Sequence, residues 1–303
     1  MKRERILKSA GLASIIVGAV AFSSCGKKEE ANNNAGDASA KVLRFSAIPD
    51  QDTTAQSERY APAAKWLSEQ LGIQVEFVPS SDYDASVTKF ENGDIQLAWF
   101  GGVSGVKARD AVEGSRALVS GEKDLEFKSY FVANSSTGLT KSADFPTAIK
   151  GKTFTFGSAG STSGCIMPAH FIVQNTKTGP IEYFSKVGFS GAHDKTALQV
   201  QAGTFEVGAL NFSTYDRMVK EGTIDPAKCP VIWETPTYAD YNFTASGELD
   251  KTFGEGFTDK LQTLLINCED PAVLKAFDRN KFVKVDNATF QGIADVMKSV
   301  KLK

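Results

Sequence analysis

Between Phe154 and Val173 the chain reads FTFGSAGSTSGCIMPAHFIV. An apolar run ends in a loop of small residues, and the loop opens a stretch with Met167, Phe171 and Val173 at helical spacing. This is a strand, a turn and a helix in succession, the repeating unit of α/β folds. The loop also has a chemical reading. Glycines admit close backbone approach, the first N–H groups of a helix lack intrahelical partners, and Ser161, Thr162 and Ser163 add hydroxyl donors. Together they make an uncharged cradle for an anion, although Ser161 or Ser163 would equally serve as a plain helix cap.

The same alternation extends outward in both directions. Strands are expected at 43–48, 74–78, 95–100, 117–120, 127–133, 153–156, 207–211 and 231–234, with a further strand-like piece at 241–245, and the sheets should be mainly parallel. Tyr60, Ala64, Leu67 and Leu71 form a helical stripe that ends at Gly72, and Ser81 with Asp84 has the spacing of a capping box. Helices are also expected around 256–265 and 290–300. The chain divides into two α/β lobes, with residues 42–133 and 236–303 in the first and 134–235 in the second. Two crossings between them would act as a hinge, and a ligand would lie in the cleft between the lobes, beyond the carboxyl ends of the strands.

The ends of the chain point outside the cytoplasm. Lys2, Arg3, Arg5 and Lys8 precede an apolar run from Ala10 to Phe22, then Ser23, Ser24 and Cys25. That run is shorter than the ~20 residues of a membrane-spanning helix, so residues 1–24 read as a lipoprotein signal peptide and Cys25 as the lipid-acceptor N-terminus. Residues 25–41, rich in Asn, Ala and Gly, read as a flexible tether. The protein is therefore expected to be exported and anchored, facing the periplasm or cell exterior. A formal net charge of −2 gives no field that would attract nucleic acid. Cys165, Cys229 and Cys268 leave any disulfide pairing open, and no metal or other cofactor is called for.

Four further stretches can line the cleft. Asp82 and Tyr83 begin a first-lobe helix, and Trp99-Phe100-Gly101-Gly102 ends a first-lobe strand with two glycines whose amides would face the ligand. His193, in SGAHD, stands at a helix start. Asp240, in PTYADYN, falls on the return crossing. A carboxylate facing an anion is repulsive unless the ligand carries a proton, so Asp240 favours protonated phosphorus oxyanions over ionised sulfate or selenate. Each stretch also has an ordinary structural reading, as core aromatics, a tight turn or a solvated histidine.

In this order, Ser81-Asp82-Tyr83, Leu97-Ala98-Trp99-Phe100-Gly101, Ser161-Thr162-Ser163-Gly164, Ser190-Gly191-Ala192-His193-Asp194 and Val231-Ile232-Trp233 resemble the substrate-binding proteins of phosphate, phosphite and phosphonate ABC importers. The resemblance runs from Val42 to the end. It implies a two-lobe, type II periplasmic-binding-protein fold with Tyr83, Ser161, Thr162, Ser163, His193 and Asp240 at the oxyanion, beside Phe100 and Gly101 from the strand-end reading, and an ABC permease with its ATPase as partners. Phe100 stands where relatives often have tyrosine. The stretch 210–214 lacks the acidic residue that holds an ammonium in aminoalkylphosphonate binders. Some stretches also look like a branch labelled as selenate binders, which keeps a selenium or sulfur oxyanion as the alternative ligand. A Ser-dependent hydrolase is the rival class, but a G-x-S-x-G elbow would need serine at Thr162, and the loop lacks the Gly-Lys ending of a nucleotide-phosphate loop.

Overall fold

A computed structural model describes residues 41–50 and 55–300. The expected signal peptide, Cys25 and most of the tether lie outside the described residues. The first sheet contains β1 (Val42–Ala47), β2 (Gln74–Phe77), β3 (Leu97–Phe100), β4 (Arg116–Gly121), β10 (Asn242–Ala245) and β11 (Phe282–Lys284), in the order β11-β4-β10-β3-β1-β2. The second contains β5 (Ser129–Ala133), β6 (Thr153–Phe156), β7 (Lys186–Phe189), β8 (Val207–Asn211) and β9 (Val231–Glu234), in the order β7-β6-β8-β5-β9.

Both sheets are mixed rather than mainly parallel. β1 runs parallel to β2 and β3, and β6 to β7 and β8, as βα units require. The returning strand β10 inserts antiparallel between β3 and β4, and β5 lies antiparallel between β8 and β9. The lobe boundary therefore falls before β5, whereas the sequence reading placed residues 127–133 with the first lobe. Only pairing with strands far along the chain, at 207–211 and 231–234, settles its sheet. β7 and β11 escaped the sequence reading because both are short edge strands with little apolar alternation.

Helices form where the stripes predict. The helix Gln56–Leu71 buries Tyr60, Leu67 and Leu71 and ends on Gly72 in the left-handed conformation. The helix Tyr83–Glu91 is capped by Asp82, whose carboxylate accepts the Ala85 N–H at 2.7 Å, so the cap is one residue later than the Ser81–Asp84 spacing suggested. Trp99 centres an aromatic cluster in the first lobe, with Tyr241 stacked on it and Phe243, Phe277 and Phe282 edge-on. Cys165, Cys229 and Cys268 are buried free thiols, and burial pushes the first two up to about 12.

The two crossings between the lobes run side by side. Phe127 and Tyr238 exchange backbone hydrogen bonds at 2.9 Å in both directions, and the Asp240 N–H donates to Asp124 O at 2.9 Å. Beneath them Arg279 grips Asp124 with two bonds, Nε to Oδ2 at 2.5 Å and Nη2 to Oδ1 at 2.6 Å. This narrow ladder joins the two lobes and holds the Asp240 backbone between them.

Candidate functional site

The loop after β6 is shaped by its own hydrogen bonds. Ser161 Oγ accepts the Gly164 N–H at 2.9 Å, so Ser161 does cap this turn. The turn is wide, with the Ile166 N–H reaching Ser161 O, five residues back, at 3.0 Å. Such widened turns concentrate at functional sites. Only glycine fits at Gly164, because a Cβ there would sit 2.9 Å from both His193 Cε1 and Ser161 Oγ. The histidine is thereby pressed against the loop.

The lobes meet across this loop. Thr162 Oγ1 accepts the Val103 N–H of the first lobe at 2.9 Å, and Gly160 packs on Tyr83, to which a Cβ would approach within 3.1 Å. Tyr83 is buried, and burial raises its phenol well above the usual range, with Asp50 adding to the rise and Ser161 opposing it. At Gly101 a Cβ would stand 3.1 Å from Asp240 Oδ1 and 3.2 Å from Thr162 Oγ1, so a side chain here would press both groups back by a few tenths of an ångström. The expected amides have partners within the protein. The Gly101 N–H donates to Ser104 Oγ at 3.0 Å and the Gly102 N–H to Asp240 Oδ1 at 2.9 Å.

Two buried atoms in this region have no hydrogen-bond partner, Asp240 Oδ2 and His193 Nε2. Asp240 is 1% exposed, and burial raises its carboxyl to about 7 against the pull of the Gly102 N–H and the Thr162 and Ser163 hydroxyls, with Asp124 adding to the rise. His193 donates its backbone N–H to Asp50 O at 3.1 Å, and its Nδ1 accepts the Asn211 N–H at 3.3 Å. Nδ1 therefore carries no proton, and the proton of the neutral ring sits on Nε2. Burial lowers this imidazole to about 4, partly countered by Asp50, so the ring is a neutral donor at physiological pH.

The structure thus joins Tyr83, Gly101, Ser161, Thr162, Ser163 and Asp240 through direct contacts and sets His193 against the same loop. Phe100 differs: its fully buried ring packs edge-on against Phe90 at 5.7 Å in the first lobe. Sequence reasoning passed over Asp50, Asn211 and Tyr241. Tyr241 donates to Asp50 Oδ2 at 3.0 Å and receives Asn211 Nδ2 at 3.0 Å. Asp50 lies just past the carboxyl end of β1, where the strand-end rule applied elsewhere would have found it. Among the described residues no His, Cys, Asp or Glu cluster is arranged to hold a metal ion, and no helix is long and apolar enough to cross a membrane.

The family described as the periplasmic substrate-binding proteins of phosphonate ABC transporters matches residues 45–290. A probable ABC transporter phosphite binding protein, PhnD1, from Prochlorococcus marinus is 36% identical over 265 residues, 84% of this chain and 89% of that protein. The chain belongs to this family. The structure of the Prochlorococcus PhnD1 in complex with methylphosphonate superimposes with a TM-score of 0.80 at 35% identity, covering 86% of this chain and 98% of that one. The phosphate-import protein PhnD of Mycolicibacterium smegmatis is 27% identical over 281 residues, 88% of this chain and 84% of that protein. The fold is accordingly the type II periplasmic-binding-protein fold, with two α/β lobes about an interlobe cleft. The chain is thus a substrate-binding protein of the ABC-transporter kind.

Proposed function

We propose that this protein captures a small, protonatable phosphorus oxyanion, of the phosphite, methylphosphonate or phosphate kind, and presents it to an ABC permease and its ATPase. The observation that carries this reading is the pair of orphaned atoms of opposite sense, the acceptor Asp240 Oδ2 and the donor His193 Nε2. A ligand that satisfies both must accept one hydrogen bond and share one proton. A singly protonated phosphorus oxyanion does so, with its remaining oxygens at the hydroxyls of Ser161, Thr162 and Ser163. Sulfate and selenate bring no proton and would bind only the protonated form of Asp240, which is depleted above about pH 7. The relatives named for phosphite and phosphate, and the methylphosphonate complex, support the same ligand class.

The absence of any chemical step is part of the proposal, since the loop has threonine where a nucleophile elbow needs serine. Anchoring through an acylated Cys25, facing the periplasm or cell exterior, is also proposed, on the basic, apolar and small-residue pattern before it. A thermal-shift screen at pH 7 tests the ligand class with phosphite, methylphosphonate, phosphate, aminoethylphosphonate, sulfate, selenite and selenate. Stabilisation by at least one of the first three, beyond that given by sulfate or selenate, is expected. A shift only with sulfur or selenium oxyanions would reject the reading.

A further inference from the structure

Asp124 and Arg279 form the most deeply buried ion pair among the described residues, and it lies next to the site rather than in it. The Asp124 side chain is fully buried and that of Arg279 is 4% exposed. Asp124 also accepts the Gly121 N–H at 2.9 Å, and its backbone oxygen receives the Asp240 N–H at 2.9 Å. The guanidinium lies over two rings, with its carbon 5.4 Å from the centre of Trp99 and 5.1 Å from that of Tyr241, the residue after Asp240. One unit therefore holds both crossing segments, one by two side-chain bonds and the other by ring contact and a backbone bond.

A buried pair is a poor device for stability alone, because desolvating both ions offsets much of their attraction. We infer that the Asp124–Arg279 pair is a positioning unit for Asp240: it fixes the strand that presents this carboxyl to the ligand, and the balance of its two charges governs how readily Asp240 gives up its proton. The inference rests on the reading of Asp240 as the proton-sharing ligand contact. Geometry carries the first half. The second follows from what faces Asp240. Tyr83, Tyr238 and Tyr241 are phenols held neutral by burial, Thr162 and Ser163 offer hydroxyls, and the start of the helix Gly102–Ala111 offers an amide. His193 is neutral, and its backbone N–H donates to Asp50 O. Burial is the main cause of the rise at Asp240, Asp124 is the charged group that adds to it, and Arg279 is the counter-ion of Asp124.

The test measures methylphosphonate affinity by calorimetry from pH 5.5 to 9 for the wild type, Asp124→Asn, Arg279→Lys and Asp240→Asn. The ligand's own titration is common to all four proteins, so differences between profiles report the protein. Asp124→Asn removes the negative neighbour and leaves Arg279 positive. Asp240 then ionises more readily, and the pH at which affinity falls should drop by about one unit, the scale of a neighbouring buried charge. Arg279→Lys keeps both charges and should leave that pH in place while lowering the melting temperature. The charge-free double variant Asp124→Asn/Arg279→Met provides a second arm should the buried Arg279 left alone prevent folding. Its profile should move in the same direction by a smaller amount.

A purely structural pair would weaken binding equally at every pH. If Asp124→Asn and the double variant both keep the wild-type midpoint while Asp240→Asn leaves only the ligand's own pH dependence, the positioning inference is wrong and the reading of Asp240 stands. If Asp240→Asn itself keeps the wild-type profile, the reading of Asp240 fails, and the inference with it.

Discussion

Replacing Asp240 with asparagine should make the ligand-free protein more stable and the ligand weaker bound. The amide side chain would keep the bond that Oδ1 receives from the Gly102 N–H at 2.9 Å while removing a charge that is 1% exposed and has one oxygen unpartnered. The folded protein holds the Asp240 proton more tightly than the unfolded chain does. Stability attached to this group is therefore fully present below about pH 4 and is lost as the pH rises through about 7. A rise from the ordinary 3.8 to about 7 corresponds, at about 1.4 kcal/mol per pH unit, to a loss of roughly 4 kcal/mol by pH 8. This is an upper bound, since the site can relax or take up water. The asparagine variant escapes the loss. In ligand-free melts its advantage over the wild type should grow from pH 4 to pH 8, and at about 2 to 4 °C per kcal/mol it should reach on the order of 10 °C. Other titrating groups cancel in the difference. Parallel melting curves for the two proteins across that range would refute the assignment of Asp240 as a buried, under-satisfied carboxyl.

Other outcomes follow from the remaining donors. Ser161→Ala with Ser163→Ala should weaken binding by about 100-fold or more, from two lost bonds to a charged ligand at about 1.5 to 3 kcal/mol each. Ser161→Ala alone should also cost about 1 kcal/mol of stability, read by denaturant titration, because Ser161 caps Gly164; a double variant losing less than about threefold in affinity would reduce both serines to structural roles. His193→Gln should weaken binding about tenfold, the loss of one hydrogen bond to a charged ligand. It should also lessen acid destabilisation, because a histidine held at about 4 contributes stability present above pH 6.5 and lost as the pH falls through 4; an unchanged acid limb in melts would contradict its burial as a neutral ring. Cys25→Ala should release the protein from the membrane fraction after a high-salt wash, and retention would remove the anchoring proposal.

Much of this was legible because local chemistry announces itself. The loop at 161–164 combines glycines, hydroxyls and a following helical stripe, and each feature has a local cause that pattern reading captures. Gly101 was expected at the cleft for its amide, which instead donates to Ser104 Oγ at 3.0 Å, whereas the crowding of this position by Asp240 and Thr162 is a contact between distant segments. The same limit explains β5, whose alternation marks it as a strand while its sheet is set by residues 207–211 and 231–234. Phe100 illustrates the converse. Its place beside Gly101 suggested the pocket, but successive side chains on a strand point to opposite faces, and the ring of Phe100 lies against Phe90 while that of Trp99 joins the opposite cluster. Asp50 acts through a tyrosine 191 residues away and Asn211 through a backbone amide, and neither kind of contact leaves a motif.

The central claim is that the cleft selects an oxyanion able to share a proton with Asp240. Isothermal titration calorimetry at pH 7 with phosphite, methylphosphonate, phosphate, sulfate and selenate tests it most directly. At least one phosphorus oxyanion should bind with micromolar affinity or better, about −8 kcal/mol, and more tightly than sulfate or selenate. Selenate or sulfate bound more tightly than every phosphorus oxyanion would contradict both the ligand class and the role of Asp240.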